Sequence, residues 1–483
     1  MITELTAYKH DFAEQCAQFG SKGFRLMTFF AEEPFDSAQG TVNAILRKGN
    51  EIVRINAYHD GYASDISDIF PYASPYQRLM NEMSGISFYN ECEPIIYHRK
   101  GNGHSLQKNP YDRNAEIRIP LCHNKTKGDG IFEIPVGPVH AGIIEPGHFR
   151  FSVAGEPVIE LNPTLGYTHR GIEKLLETDA SADNSRLVER ISGDTCVANC
   201  IAYSEMMETS THIPRRALLI RTLLAEMERL YNHVGSVSGI CTDTAFTVPS
   251  AIGGGIQEKI FRMNSSLSKH RQLMNSVVPG GVRRDINDGR LKELDNFLFR
   301  LKLEVQDLED LMMDNPALLD RMETTGKLSY SDAVKIDATG PIGRASGIIN
   351  DVRKDKPYEC YEEMGLNLIS DNRGDVYART SVRFGEITES ISLIHQCIEA
   401  MEPGETRVRA VPENGFHCSV VEAPRGELVH CCIVRDGFIW RYNVRDPSFM
   451  NWFGMCYAVP GNVVPDFPLI NKSFGLSYSG NDL

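Results

Sequence analysis

The chain has 483 residues, 42% of them hydrophobic and 24% charged, which fits a soluble globular protein of two or three domains. Its net charge of −14 argues against nucleic acid as a partner, because such binders usually carry a basic face. No apolar run reaches the roughly 18 residues of a membrane span, and Met1-Ile-Thr-Glu-Leu-Thr6 lacks the basic and apolar regions of a signal peptide.

These features predict a cytoplasmic protein able to dock on a membrane complex. The 12 cysteines follow no disulfide spacing, so reduced core thiols are expected.

Residues 1–125 read as a small α/β domain. Residues 9–16 predict a helical surface, and 24–30, 43–47 and 51–57 predict strands around a turn-rich stretch at 34–40. Residues 77–86 predict a short helix ended by Gly85. Residues 98–130 are rich in Asn, Gly, Lys and Asp and read as a connector with one short buried piece at 117–121.

Residues 126–483 form the larger domain. Residues 149–153 and 157–161 flank Ala154-Gly-Glu156 as a hairpin. Long amphipathic helices are predicted at 214–233, 291–311 and 382–401. Short strands follow at 418–422, 428–434 and 438–444. The expected class is α+β: the small α/β domain, then a long-helix bundle core with peripheral β-hairpins.

The stretch Glu189-Arg-Ile-Ser-Gly-Asp-Thr-Cys-Val-Ala-Asn-Cys200 resembles the first active-site segment of [NiFe]-hydrogenase large subunits, and equally that of the quinone-site subunit of respiratory complex I. Further motifs recur in the same order. They include Pro135-Val-Gly-Pro-Val-His140, Tyr167-Thr-His-Arg-Gly-Ile-Glu-Lys174, Glu226-Met-Glu-Arg-Leu-Tyr-Asn-His233, Gly340-Pro-Ile-Gly-Arg344 and Glu422-Ala-Pro-Arg-Gly426. The chain resembles most the large subunits of formate-hydrogenlyase-type, energy-converting hydrogenases, with a complex-I-like (30-kDa-subunit-like) domain fused in front.

In that family two Cys-x-x-Cys pairs hold nickel and iron, because soft thiolates suit these metals. Here the first pair falls on Ser192 and Thr195, and the second on Ser477 and Gly480. No metal site and no hydrogenase activity are therefore expected. Cys196 and Cys200 lie one helical turn apart and read as core thiols rather than a redox pair. The tyrosine that contacts quinone in the complex I protein falls on Gly193, and its partner histidine is matched by His148 or His140.

The resemblance implies a soluble-arm subunit of a membrane-bound oxidoreductase complex, at the cytoplasmic face of the inner membrane. It implies no cofactor in this chain, a small iron–sulfur partner subunit carrying the clusters, and membrane-embedded antiporter-like and anchor subunits. Quinone is the candidate ligand. Glu173, Glu189 and His148 are assigned to proton transfer. Arg170, Arg190 and Arg425 are assigned to holding an anionic or carbonyl-bearing ligand, beside His140, Ser192, Thr195 and Ser477. Two alternatives remain at this point: a quinone-binding NADH:quinone-oxidoreductase-like subunit, and a hydrogenase-derived scaffold whose charged residues only maintain the fold.

Overall fold

Four strands in the first sixty residues form one sheet. Strands β1 (Ile2–Ala7), β2 (Arg25–Glu32), β3 (Thr41–Lys48) and β4 (Glu51–Tyr58) lie in the order β1-β4-β3-β2, with β1 parallel to β4 and the other pairs antiparallel. The description comes from a computed structural model and covers residues 2–33, 40–88, 126–142 and 144–483. The connector at 98–125, its short piece at 117–121 and the turn at 34–39 lie outside these residues.

Lys48 pairs with Glu51, so Gly49 and Asn50 form a two-residue hairpin loop, and Gly49 takes the positive φ of 55° that such a loop needs. Helix α1 (Phe12–Ser21) starts later than its sequence pattern predicts. Helix α2 (Ser74–Ser84) ends at Gly85, whose φ of 73° and N–H bond to Asn81 O make a left-handed cap.

The larger part opens with an antiparallel sheet of β5 (Ile131–Val136), β6 (His148–Ala154) and β7 (Val158–Thr164). Short helices α3 (Ile172–Leu175) and α4 (Ser185–Val188) lead to α5 (Cys196–Met207), α6 (Arg215–Asp243) and α7 (Thr247–Ser268). A two-stranded ladder, β8 (Val277–Val278) with β9 (Gly281–Val282), precedes α8 (Asp288–Met313). Four short helices follow: α9 (Pro316–Met322), α10 (Tyr330–Lys335), α11 (Gly340–Ala345) and α12 (Val352–Asp355). Then come α13 (Val376–Glu399), strands β10 (Gly415–Ala423), β11 (Gly426–Arg435) and β12 (Phe438–Arg445), and helices α14 (Pro447–Ala458), α15 (Phe467–Phe474) and α16 (Tyr478–Asp482).

The three long helices expected from periodicity are α6, α8 and α13. With α7 they form the bundle, α6 packing on both α7 and α13. Helix α6 runs ten residues past the expected end, through Gly235 and Gly239. A Cβ at Gly235 would meet Gln257 Nε2 of α7 at 2.2 Å, and one at Gly239 would meet Lys472 Cδ of α15 at 2.7 Å. These glycines let neighbouring helices approach and do not end the helix.

One expectation fails. The strands after residue 415 are not peripheral hairpins but a central three-stranded sheet, β10-β11-β12. Every residue of β11 except Arg435 is buried. Helix α5 packs on β10 and β11, and β2 of the N-terminal sheet packs on β12. The apolar run Val429–Val434, interrupted only by His430, is the pattern of a strand covered on both faces.

The N-terminal sheet is fastened there by buried charge. Glu427 accepts from Arg25 at 2.8 Å, Arg47 at 2.5 Å and Arg445 at 2.8 Å, while Asp337 pairs with Arg25 and Arg445. Thr28 Oγ1 donates to Asn443 Oδ1 at 2.8 Å, and Arg441 Nε donates to Ala31 O at 3.0 Å.

Candidate functional site

Four distant segments meet beside the N-terminus of α5: the 189–195 loop, the β10–β11 turn bearing Arg425, the N-terminus of α14 and the 475–483 segment. Ser192 Oγ lies 2.8 Å from Ser477 Oγ. Ser477 caps α16 by accepting from Gly480 N at 2.9 Å. Thr195 Oγ1 donates to Ser192 O at 3.4 Å, and Asn199 Nδ2 donates to Thr195 O at 2.8 Å. The positions where the family carries metal-binding cysteines therefore do converge, although they are far apart in sequence.

The residues present do not fit a [NiFe] centre. They offer three hydroxyls, hard neutral oxygens, and a glycine without a side chain; Ser192 and Ser477 are bonded to each other, and Thr195 to the Ser192 main-chain carbonyl. A Cβ on Gly480 would stand 2.6 Å from Asp446 Oδ2, so a carboxylate fills the space a fourth side chain needs. Asp446 is itself held as the N-cap of α14, accepting from Ser448 N at 2.8 Å, and burial raises its pKa.

Asp194, inside the altered segment, carries no distinguishing signal in the sequence. It is the anion around which the site is arranged. It accepts from Ser192 Oγ at 2.8 Å and from Arg425 at 3.0 and 2.5 Å, a bidentate pair. Its carbonyl accepts from Tyr231 Oη and Asn232 Nδ2, both at 2.7 Å. Burial pushes the Asp194 carboxyl up, but the Arg425 guanidinium outweighs this and leaves it below its ordinary value. The third Arg425 contact is Nε to Gly475 O at 2.6 Å. This pair forms one wall of an open cavity of about 380 Å³, with Tyr231, Asn232, Ile144 and Lys472 on its other sides.

The other predicted residues divide. Arg170 reaches the site, donating to the carbonyls of Arg190, Ile191 (3.0 Å) and Ser479 (2.9 Å), so it staples the loops together. Arg190 is exposed and donates to Arg186 O at 2.8 Å. Glu189 is 2% exposed and accepts from Asn275 N; burial raises its pKa.

Glu173 points away, into the contact with β12. It accepts from Arg441 at 2.7 Å, Asn443 at 3.0 Å and Val444 N at 2.9 Å. His140 and His148 brace the loop between β5 and β6, contacting Gly147 O at 2.7 Å and Gly137 O at 3.3 Å. That loop borders the site through Glu145, which accepts from Ser479 N at 3.1 Å.

Cys196 and Cys200 are 1% exposed on α5, and burial raises both thiols well above their ordinary value. Beneath them Glu228 accepts from Val197 N at 2.7 Å and Ala198 N at 3.0 Å, and burial raises its pKa to about 8. The signal for Glu228 is an acidic residue on the apolar face of a long helix.

Residues 243–414 match the family model of the respiratory-chain NADH dehydrogenase 49 kDa subunit. Formate hydrogenlyase subunit 5 of Escherichia coli is 31% identical over 356 residues, 72% of this chain and 62% of that protein. The chain thus spans about three fifths of that relative's length. The carbon monoxide-induced hydrogenase of Rhodospirillum rubrum is 32% identical over 71% of this chain and 96% of its own length. The mitochondrial NADH-ubiquinone oxidoreductase 49 kDa subunit of Neurospora crassa is 28% identical over 69% of this chain and 77% of its own length.

Proposed function

The chain belongs to the family that joins the 49 kDa subunit of NADH dehydrogenase to the related hydrogenase large subunits, and from that premise we propose that it is a soluble-arm subunit of a membrane-bound, energy-converting oxidoreductase complex that operates without a [NiFe] centre. The observation that carries the second half is the closed oxygen site: Ser192 bonded to Ser477, with Asp446 against Gly480.

In this reading the chain holds no cofactor. A small iron–sulfur partner brings electrons to the Asp194–Arg425 wall, and antiporter-like and anchor subunits in the membrane use the energy released. Among the described residues no helix is long and apolar enough to cross a membrane, which suits a peripheral place on the cytoplasmic face. Residues 1–125 supply the complex-I-like front domain of this arrangement.

Arg425 is the residue best placed to meet a carbonyl or anionic acceptor, because it is cationic, fixed at three nitrogens and open to the cavity. Asp194 lies beside it as the ionised carboxylate that fixes the orientation of this guanidinium. Arg170 and Glu173 position the surrounding loops.

A quinone is the acceptor favoured by the match to the 49 kDa subunit. Its headgroup would be held without the usual tyrosine, since Gly193 stands there and a Cβ on it would already lie 3.3 Å from Met274 Cε.

The test is to purify the intact complex, measure its nickel, and assay reduction of quinone and sulfur compounds together with hydrogen turnover. Nickel should be absent and hydrogen inert, and R425A should lower turnover at least tenfold in whichever reaction proceeds, about 1.4 kcal/mol of transition-state stabilisation. Stoichiometric nickel, or an R425A complex with unchanged turnover, sinks the reading.

A further inference from the structure

Behind the Arg425 turn lies a buried network that the proposed function does not use. Arg344 of α11 is 1% exposed and faces three carboxylates: Glu386 at 2.8 Å, Glu422 at 2.8 Å and Asp351 at 3.3 Å. Arg353 of α12 joins Asp351 at 2.7 Å to Glu226 at 3.1 Å. Arg229 of α6 contacts Glu226 at 3.3 Å. His233, one turn further along α6, lies 2.7 Å from Glu386. Tyr361 and Ser390 complete Glu226 with hydroxyl bonds of 2.5 and 2.6 Å.

Four carboxylates thus share three guanidiniums and one imidazole. The next cation, Arg383 of α13, directs its hydrogen bonds to the carbonyls of Arg379 and Phe474. An isolated extra charge in such surroundings is costly, and a proton is the simplest way to remove it. The Arg344 Nη2 donor meets no protein acceptor although it is fully buried, which is where an internal water belongs.

We propose that this network is an internal proton-binding site, with Glu422 as the main seat of one exchangeable proton and His233 as the second, linked through Arg344 and Glu386. Uptake forms an O–H bond on Glu422 with a proton drawn from solvent, and release breaks that bond and returns the proton. In the second arrangement the imidazole carries the proton, and Glu422 is a carboxylate on Arg344.

Burial and the neighbouring Asp351 raise Glu422 to about 7, whereas burial lowers His233 to about 4, so Glu422 is the seat that exchanges near neutrality. The site is tied to the Arg425 turn. Arg229 donates to the carbonyls of Glu422 (2.7 Å) and Ala423 (3.2 Å), and Tyr358 Oη also contacts the Glu422 main chain. A change of charge at Glu422 therefore acts on the strand end that carries Arg425.

The test is an infrared pH titration of the full chain in D₂O, reading the C=O stretch of protonated carboxylic acids. Burial raises Glu228 and Glu359 to about 8, so they also carry protons near neutrality, and the Glu422 band is isolated by difference. Wild type minus E422Q should show an acid band with a midpoint near neutrality, and E228Q and E359Q should leave that difference band in place. If E422Q does not accumulate folded, E422D in protein with ¹³C-labelled glutamate should return this single band to its unlabelled frequency. A wild-type minus E422Q spectrum without such a band overturns the proposal. So does a band that keeps its labelled frequency in E422D.

Discussion

Replacing Glu427 with glutamine tests how the N-terminal sheet is held. Glu427 is 2% exposed and faces Arg47 together with Arg25 and Arg445, the last two shared with Asp337. The cluster already has three cations for two anions. Burial pushes the Glu427 carboxyl up, yet the three guanidiniums outweigh it and hold the group well below the usual carboxylate range.

Glutamine keeps the shape but leaves Arg25 and Arg445 to Asp337 and Arg47 without a carboxylate. Removing one partner of a buried ion pair costs ~3–5 kcal/mol, far more than breaking an exposed pair such as Lys9–Asp60. Arg445 Nε already lacks a protein acceptor, which places E427Q in the upper half of that range.

Hydrogen exchange is the assay, because it reports local opening of the sheet apart from global unfolding. Amides of β2, β3 and β4 should lose protection by at least roughly three orders of magnitude, and those of α6 should not change. A loss below tenfold would refute the reasoning. The sign with pH also follows. A depressed folded pKa gives stability that is present above the unfolded value of 4.5 and is lost only as pH falls through the folded value. After correction for intrinsic rates, the difference between wild type and E427Q should stay constant from pH 8 to about 5.

Three further outcomes are expected. G480A should destabilise by ~1–3 kcal/mol in urea unfolding, because its methyl group would overlap Asp446 Oδ2, and a variant with cysteine at 192, 195, 477 and 480 should still bind no stoichiometric nickel. Glu228, raised from 4.5 to about 8, gives stability that is full below 4.5 and is lost as pH rises through 8; the wild-type urea midpoint should fall over this window, and that of E228Q should fall less. E173Q should cost ~3 kcal/mol in the same assay, because buried Arg441 then keeps only Glu177, at 3.8 Å, as a carboxylate partner, with no change in any acceptor's KM.

The long helices are legible because apolar residues recur at three and four positions over several turns. The hairpin of β6 and β7 is legible from its turn residues, Ala154-Gly-Glu156. Helix α7 is hard to see in the sequence because Gly253, Gly254 and Gly255 weaken its helical pattern, although Gly253 is needed for close approach to Ser238 of α6. The buried position of β10–β12 is hidden, since a run such as 429–434 does not say what covers it.

At the site, the loss of four thiols is plain from residue type alone. The role of Asp194 is not, because its partner Arg425 is 231 residues away. Glu173 and Arg170 look like reactive groups in sequence, and only their hydrogen-bond partners reveal the loops they tie together.

The Ser192–Ser477 contact spans 285 residues, and Asp482 closes a similar span by accepting from Gly166 N and Thr168 N, both at 2.9 Å. Loop closure over such separations comes late when chains condense from local contacts. The helical hairpin of α6 and α7 can form early, whereas the pocket acquires its last wall only when α16 docks. In pulse-labelled refolding, protection at Gly166 and Thr168 should therefore trail that of α6, which makes assembly of the site a clock for completion of the fold.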